Sequence, residues 1–223
     1  MSICHVASLG IVAYPDAYLL QQNLLKQIAN NQRESALLLL EHPHVYTIGR
    51  RGNRNQVRLS SIDLKKMGIT LYDANRGGQV TYHGPGQLVV YPIVDLRSWG
   101  GPLKYVRALE QVIIRTLADH GIDGQLKDGL TGVWVNNRKI AAIGVKITNG
   151  IAHHGLSLNV APHLRYYEHI ISCGIEDCES TSIASLSQCT PDIEAVAYTL
   201  QFHFGKLMGY RMVEVSSHEL TTA

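Results

Sequence analysis

The sequence predicts an α+β fold, a mixed β-sheet with helices packed against it, as one domain over residues 1–223. Three observations carry that prediction. Apolar residues recur at helical spacing in three separated stretches: Ala17, Leu20, Leu24 and Ile28, then Val106 to Leu117, then Ile193 to Met208. Residues 132–158 read as three strands joined by tight turns. Between the first two helices lies RGGQVTYHGPGQLVVYPIVD, Arg76 to Asp95, in which β-branched and aromatic runs flank a cluster of glycines.

Composition bounds the function. The 223 residues suffice for one sizeable core and are few for two. Hydrophobic residues make up 45% and charged residues 17%, the ordinary balance of a globular chain. A net charge of +2 is too small to argue for nucleic acid or an anionic membrane as partner. The opening stretch MSICHVASLGIVAYPD has no basic n-region, and His5, Pro15 and Asp16 break its apolar run. It reads as neither signal peptide nor transmembrane span, which points to a cytoplasmic location and reduced thiols. Of the four cysteines, Cys173, Cys178 and Cys189 cluster late, but without CxxC spacing or a nearby HxxxH, so no structural metal is expected.

In chain order, Ile11 to Tyr14 reads as a short strand and Asp16 as the N-cap of the first helix. Ala36 to Leu40 is short and continuously apolar, the pattern of a buried strand. It runs into EHPHVYTIGR, Glu41 to Arg50. His42 and His44 share a side of an extended chain and have metal-compatible spacing, but no third ligand stands nearby, so surface or hydrogen-bonded histidines are the better reading. Arg50, Arg51, Arg54 and Arg58 crowd a polar segment that is either a solvated loop or a docking patch for an acidic partner. Ser61 to Met67 reads as a short helix capped by Ser61 and stopped by Gly68, and Ile69 to Tyr72 as a strand.

Within the glycine-rich stretch, Gln79–Tyr82 and Leu88–Val94 read as strands, with His83-Gly84-Pro85-Gly86 as the turn of a hairpin. Glycines between strands, with no Gly-Lys-Ser/Thr ending, make a nucleotide loop improbable. What remains is a strained turn, or a backbone shaped to approach a ligand closely. After Trp99-Gly100-Gly101-Pro102, Leu103 to His120 is an amphipathic helix ended by Gly121. Gly132–Val135, Lys139–Thr148 and Ile151–Leu158 form a meander, and Asn149-Gly150 is its strongest turn signal. Lys139 by itself is an exposed hairpin lysine. The small residues after it suit either packing or an acyl slot, and His154 reads as structural. Ala161 to Ile170 is irregular. Cys173, which follows Ile170-Ile171-Ser172 and precedes Gly174, could be an inert buried thiol or one presented by a bend. Thr190-Pro191-Asp192 opens the last helix and Gly209 closes it.

RGGQVTYHGPGQLVVYPIVDL resembles the signature segment of the biotin/lipoate protein ligase and transferase superfamily, and its His-Gly-Pro-Gly-Gln form resembles the octanoyltransferases of lipoate synthesis. EHPHVYTIGR, KIAAIG from Lys139, HGLSLN from His154 and Ser172-Cys173-Gly174-Ile175 follow the same family's order and spacing, so the likeness covers most of the chain. His44 stands where the family's segment carries a proline. The resemblance implies the superfamily's catalytic-domain fold, with Cys173 as the acyl-thioester nucleophile and Lys139 as the residue that activates it. It implies an acyl site lined by Arg76, Gly77, Gly78, Gln79, Val80, Thr81, Tyr82 and His83, by Ala142, Ile143 and Gly144, and by Gly155, Leu156 and Ser157.

The reaction so implied takes octanoyl from octanoyl-acyl carrier protein to a lysine of lipoyl domains, those of 2-oxoacid dehydrogenase E2 subunits and of the glycine cleavage H protein. Thioester exchange onto cysteine is nearly neutral and aminolysis to an amide is downhill, so no cofactor, ATP or metal is called for. A neighbouring ammonium favours the reactive thiolate. Two other readings stand beside this one. An ATP-dependent lipoate or biotin ligase on the same fold would not need Cys173. A non-catalytic binder of acylated carrier domains would keep the pocket without transfer.

Overall fold

The computed structural model describes residues 2–172, 178–189 and 191–221. The strands are β1 (Ser2–Ile11), β2 (Ser35–Glu41), β3 (Val45–Ile48), β4 (Thr70–Asp73), β5 (Val80–His83) and β6 (Gln87–Asp95). They continue with β7 (Gln125–Lys127), β8 (Leu130–Val135), β9 (Arg138–Thr148), β10 (Ile151–Asn159) and β11 (Tyr210–Glu214). The helices are α1 (Tyr14–Ala29), α2 (Ser61–Lys66), α3 (Pro102–Asp119), α4 (Ile183–Leu186), α5 (Ile193–Met208) and α6 (Ser217–Thr221). Among the described residues an eight-stranded sheet runs β11-β1-β2-β6-β10-β9-β8-β7 and a three-stranded one runs β4-β3-β5. The large sheet is mixed. β1 pairs in parallel with both β2 and β11, while the pairs from β2–β6 to β8–β7 are antiparallel.

Both faces of the large sheet are covered, which is why β2 and the middle of β6 are apolar without alternation. Leu37, Leu39, Leu88 and Val90 face α3 and α5. Leu38, Leu40, Val89 and Tyr91 face α1. Leu109, Val112, Ile113 and Leu117 on α3 and Leu200 and Phe204 on α5 are fully buried. Each such side chain contributes about 1.5–3 kcal/mol by leaving water. The small sheet has its own core, where Tyr46 and Tyr82 pack with Leu64, Tyr166 and Ile170.

Several local expectations are met. Asn149 (φ 50) and Gly150 (φ 82) turn β9 into β10, Gly209 closes α5 in the left-handed conformation, and Asp192 caps it. Four expectations are corrected. The first strand is β1, ending at Ile11, and Tyr14 already lies in α1. The N-cap of α1 is Ala13 without a side-chain bond, and Asp16 sits in the first turn, where its charge favours the helix dipole. Ser60, not Ser61, caps α2. The glycine-rich stretch is not a hairpin: β5 pairs with β3 in the small sheet, and β6 pairs with β2 and β10 in the large one. Residues 84–86 therefore strap two sheets together, and the Glu41 carboxylate accepts the Gly86 N–H (2.5 Å).

The β6–β10 ladder is open between its Ala152–Val94 and Leu156–Val90 pairs. Pro92 lies in that gap and has no N–H to give. The His154 N–H donates instead to Gln21 Oε1 on α1 (2.8 Å). Gly155 fits here because a Cβ would stand 2.2 Å from the Val90 carbonyl oxygen and 2.5 Å from Pro92 Cδ. Gly155→Ala is expected to cost at least the upper end of the overpacking range, about 3 kcal/mol. The check is the urea midpoint at unchanged m-value.

Candidate active site

A cleft lies between the small sheet and strands β9 and β10. The glycine-rich segment supplies Arg76, Gly78, Gln79, Val80, Thr81 and His83. β9 supplies Ala142, Ile143 and Gly144, and β10 supplies Gly155, Leu156 and Ser157. Two of the residues named for the acyl site lie elsewhere. Alternation along β5 turns the Tyr82 side chain away, to stack on Tyr166 (5.1 Å) and meet His44 Nδ1 through its hydroxyl (2.9 Å). Gly77 is one step off the lining, and its N–H donates to the Val145 carbonyl of β9 (3.0 Å).

Tyr14, Tyr91 and His154 also line the cleft. Sequence reasoning passed over the two tyrosines and took His154 as structural. His154 has φ 55, a backbone few non-glycine residues adopt, and this breaks the strand's alternation. Its ring stacks on Tyr18 of α1 (5.7 Å), and its Nε2 meets Asn75 Oδ1 (2.7 Å). Among the described residues, Tyr14 Oη, Thr81 Oγ1 and His154 Nδ1 are buried without a hydrogen-bond partner. Such groups are rare in folded proteins, and these three face the cleft, where a bound molecule could pair with them.

Arg76 fixes the glycine-rich segment. Its Nη2 donates to the Thr47 carbonyl and hydroxyl (both 2.7 Å), and its Nη1 donates to the Gly77 carbonyl (2.9 Å). Gly78 has φ 84, so a valine there strains the backbone whatever happens to substrate. Activity and stability would fall together in Gly78→Val, which makes it a poor test of substrate contact.

The histidines around the cleft are neutral. Burial holds His83 well below its usual range, aided by His42 and the Arg76 guanidinium. Gln87 Nε2 donates to the Tyr82 carbonyl and Asn159 Oδ1, so its Oε1 accepts His83 Nδ1–H (2.7 Å). His83 Nε2 is then an acceptor. Burial lowers His42 to about 4. It lowers His153 to about 4, with Lys146 adding to the effect, and His154 to about 3, with His153 adding. His42 donates Nδ1–H to the Val12 carbonyl (2.6 Å) and accepts from the Tyr91 hydroxyl (2.8 Å), as a structural histidine should. Among the described residues no group of three His, Cys, Asp or Glu is placed to hold a metal.

These lowered values fix a pH dependence of stability. The unfolded chain takes up protons on these histidines below about pH 6.5, and the folded one does not. Stability is therefore full above that value. It falls as pH drops from about 6.5 toward 4, by up to about 1.4 kcal/mol per pH unit for each histidine. Urea midpoints at pH 7.5, 6 and 5 should fall in that order. Equal midpoints would mean that these rings are protonated in the fold.

Lys139 is 5% exposed, not the exposed hairpin lysine its local sequence indicates. Its Nζ donates to the Thr131 carbonyl (3.2 Å) and lies 5.0 Å from the Trp134 ring centre. The register of β8 and β9 shifts beside it, since Trp134 pairs with Lys139 but Val133 with Ala141. Such an irregularity re-aims side chains. The far side of Lys139 is covered by residues 179–181: its N–H donates to the Glu179 carbonyl (2.8 Å) and its carbonyl accepts the Thr181 N–H (2.9 Å). The N–H of Gly132 donates to the fully buried Glu110 (3.2 Å), which is ion-paired to Arg107 (2.7 Å). Thr131–Gly132 is thus one peptide with Lys139 at its oxygen and a carboxylate at its nitrogen, an arrangement that polarises both bonds.

Cys173 lies outside the described residues. Its neighbour Ser172 is buried, and the Ile171 N–H donates to the Gln56 carbonyl (2.8 Å). Lys139 is three residues before the cleft's Ala142 on the same strand, and residues 178–181 bring the chain back beside it. Of the other cysteines, Cys4 is in the core, where burial raises its thiol pKa and keeps it protonated.

Residues 13–205 match the lipoyl protein ligase A/B catalytic domain family. The chain is 42% identical over 218 residues to an octanoyltransferase of Solibacter usitatus, covering 97% of this chain and 98% of that one. It is also 42% identical over 203 residues to an octanoyltransferase of Chloroflexus aurantiacus, covering 89% and 91%. In fold it is similar to a bi-partite lipoate protein ligase of Thermoplasma acidophilum, with TM-score 0.76, 16% identity, and 99% and 89% of the two chains covered. The biotin protein ligase of Aquifex aeolicus is more distant, with TM-score 0.54, 11% identity, and 94% and 70% covered. The chain belongs to the lipoyl protein ligase A/B catalytic domain family, among its octanoyltransferases.

Proposed function

We propose that this chain transfers an octanoyl group from a thioester on acyl carrier protein to a lysine amine of lipoyl domains, by way of a thioester on Cys173. The observation that carries the reading is the cleft. The glycine-rich segment and the small residues of β9 and β10 enclose it together, and β9 runs from it back to a buried lysine. Small and apolar residues at Ala142, Ile143, Gly144 and Leu156 suit an acyl chain.

In the first step the Cys173 thiolate attacks the donor carbonyl, and the carrier's thiolate leaves and takes a proton from the Lys139 ammonium. In the second, the acceptor lysine amine attacks the enzyme thioester, Lys139 takes its proton, and the Cys173 thiolate leaves. The oxyanion formed in each step needs a donor. Gly77 N–H is already given to Val145, and neutral His83 presents an acceptor at Nε2. Gly78 N–H is the remaining main-chain donor of that pair. The acceptors that fit are the lipoyl domains of 2-oxoacid dehydrogenase E2 subunits and of the glycine cleavage H protein. Among the described residues no helix is long and apolar enough to cross a membrane.

The test is incubation with octanoyl-carrier protein and a lipoyl domain, with and without ATP, read by intact mass. Octanoylation of the domain at equal rates in both arms is expected. Transfer only with ATP would make the protein a ligase, and binding of the carrier without transfer would make it a non-catalytic binder.

A further inference from the structure

Residues 50–59, RRGNRNQVRL, carry four arginines and no acid, and so +4 where the whole chain carries +2; the rest of the molecule is net acidic. The four are not equivalent. Arg54 is spent inside the loop, with Nη1 on the Val57 carbonyl (2.9 Å) and Nη2 on the Leu59 carbonyl (2.7 Å). Arg50, Arg51 and Arg58 are exposed. Arg58 reaches the Glu168 carbonyl (3.2 Å), but among the described residues the side chains of Arg50 and Arg51 make no hydrogen bond or ion pair. Two adjacent guanidiniums without a carboxylate repel each other and do nothing for the fold.

The backbone of this loop is held to both halves of the site. Arg50 N–H donates to the Arg76 carbonyl (3.0 Å) and Arg51 N–H to the Gly78 carbonyl (3.1 Å), on the segment that lines the cleft. Gln56 Nε2 meets Gln79 Oε1 (2.5 Å). On the other side, the Gln56 carbonyl takes the Ile171 N–H (2.8 Å) and Arg58 N–H donates to the His169 carbonyl (2.8 Å), on the chain that runs into Ser172. The positive surface thus sits between the segment that lines the cleft and the chain at His169–Ile171. It cannot move relative to either without breaking these bonds.

We propose that this arginine surface, with Arg50 and Arg51 at its centre, docks the acidic face of the protein domain that delivers the acyl group. The proposal rests on the acyl-transfer reading above and adds the surface and its charge preference. A thioester on a carrier must enter the cleft with its protein still attached, so that protein lies against the rim. Opposite charge there speeds encounter and fixes orientation without contributing to the chemistry. A nucleic-acid surface is the poorer fit, because this acid-free run of arginines is one short loop and the rest of the molecule is net acidic.

The experiment uses the full chain and the charge reversal Arg50→Glu with Arg51→Glu, both of which keep the main-chain bonds. Two donors are compared, octanoyl on an acidic carrier protein and the octanoyl thioester of N-acetylcysteamine, and formation of the acyl-enzyme is followed by intact mass. With the carrier donor, the double reversal should lower kcat/KM at least tenfold, chiefly through KM. The wild-type rate should fall steeply between 50 and 500 mM salt, as the screening length shrinks below about 8 Å. With the small donor, both proteins should agree within twofold at either salt. Equal losses with both donors would place the arginines on the chemistry or the fold and overturn the proposal, as would no loss with either. Competition by a duplex oligonucleotide at physiological salt would overturn it in favour of nucleic acid. If the wild type accepts octanoyl from neither donor, the acyl-transfer reading fails and takes this one with it, a result distinct from loss of the patch alone.

Discussion

Cys173→Ala is expected to lower octanoyl transfer about 10³-fold or more while leaving the thermal transition in place. The size follows from the chemistry: without the sulfur there is no enzyme thioester, and the acceptor amine must attack the carrier thioester directly. Stability should hold because the surrounding chain is tied by its main chain, through Ile171 to Gln56 and through Glu179 and Thr181 to Lys139. Intact mass after mixing with donor should show one octanoyl adduct on the wild type and none on Cys173→Ala. The three remaining cysteines provide the controls. Cys4 is buried with its thiol held protonated, and Cys189 is exposed and remote in sequence from the cleft's lining. Cys4→Ser, Cys178→Ser and Cys189→Ser should each keep the adduct. Full activity in Cys173→Ala would end the covalent mechanism.

Lys139→Ala should follow, with a loss of about 10²–10⁴-fold spread over both acylation and deacylation, the range of general acid–base catalysis. Both steps move a proton, so both half-reactions should slow when measured separately. If Lys139 activates Cys173 as proposed, its positive charge favours the thiolate, so alkylation of Cys173 by iodoacetamide at pH 7 should slow in the mutant. Lys139→Arg should not restore turnover, because a guanidinium keeps its proton. It also lacks room: the Lys139 chain already lies so close to Gly132 that a Cβ there would stand 2.8 Å from Cε. Unchanged alkylation profiles in Lys139→Ala would remove it from thiolate activation, and unequal effects on the two half-reactions would assign it to one step only.

What the sequence shows of this molecule follows the range of the forces involved. The stripes of α3 and α5, the buried run of β2 and the Asn149-Gly150 turn are local, and they stand where the periodicity puts them. β1 and β11 escape notice because each is recognised by its neighbour. His5, Ser8 and Gly10 blur β1, which becomes a strand by pairing with both β2 and β11. The supposed hairpin at residues 79–94 fails for the same reason: turn chemistry says that the chain bends, not which sheet it enters next. The composition of the cleft divides likewise. Its rims lie on contiguous motifs that resemblance identifies, whereas Tyr14 and Tyr91 arrive from α1 and β6 through packing alone. Lys139 reads as exposed because its cover, residues 179–181, lies four decades of sequence away.

The pairing of Ser2 with Tyr210 has a kinetic meaning. It joins positions near opposite ends of the described chain, and such contacts form only after a large loop-closure entropy has been met. β11 must therefore be among the last strands to add to the sheet. Until it does, the outer edge of β1 presents open N–H and C=O groups that another chain could pair with. Refolding at high protein concentration should then lose yield to self-association, at a stage when the β9–β10 hairpin has already formed.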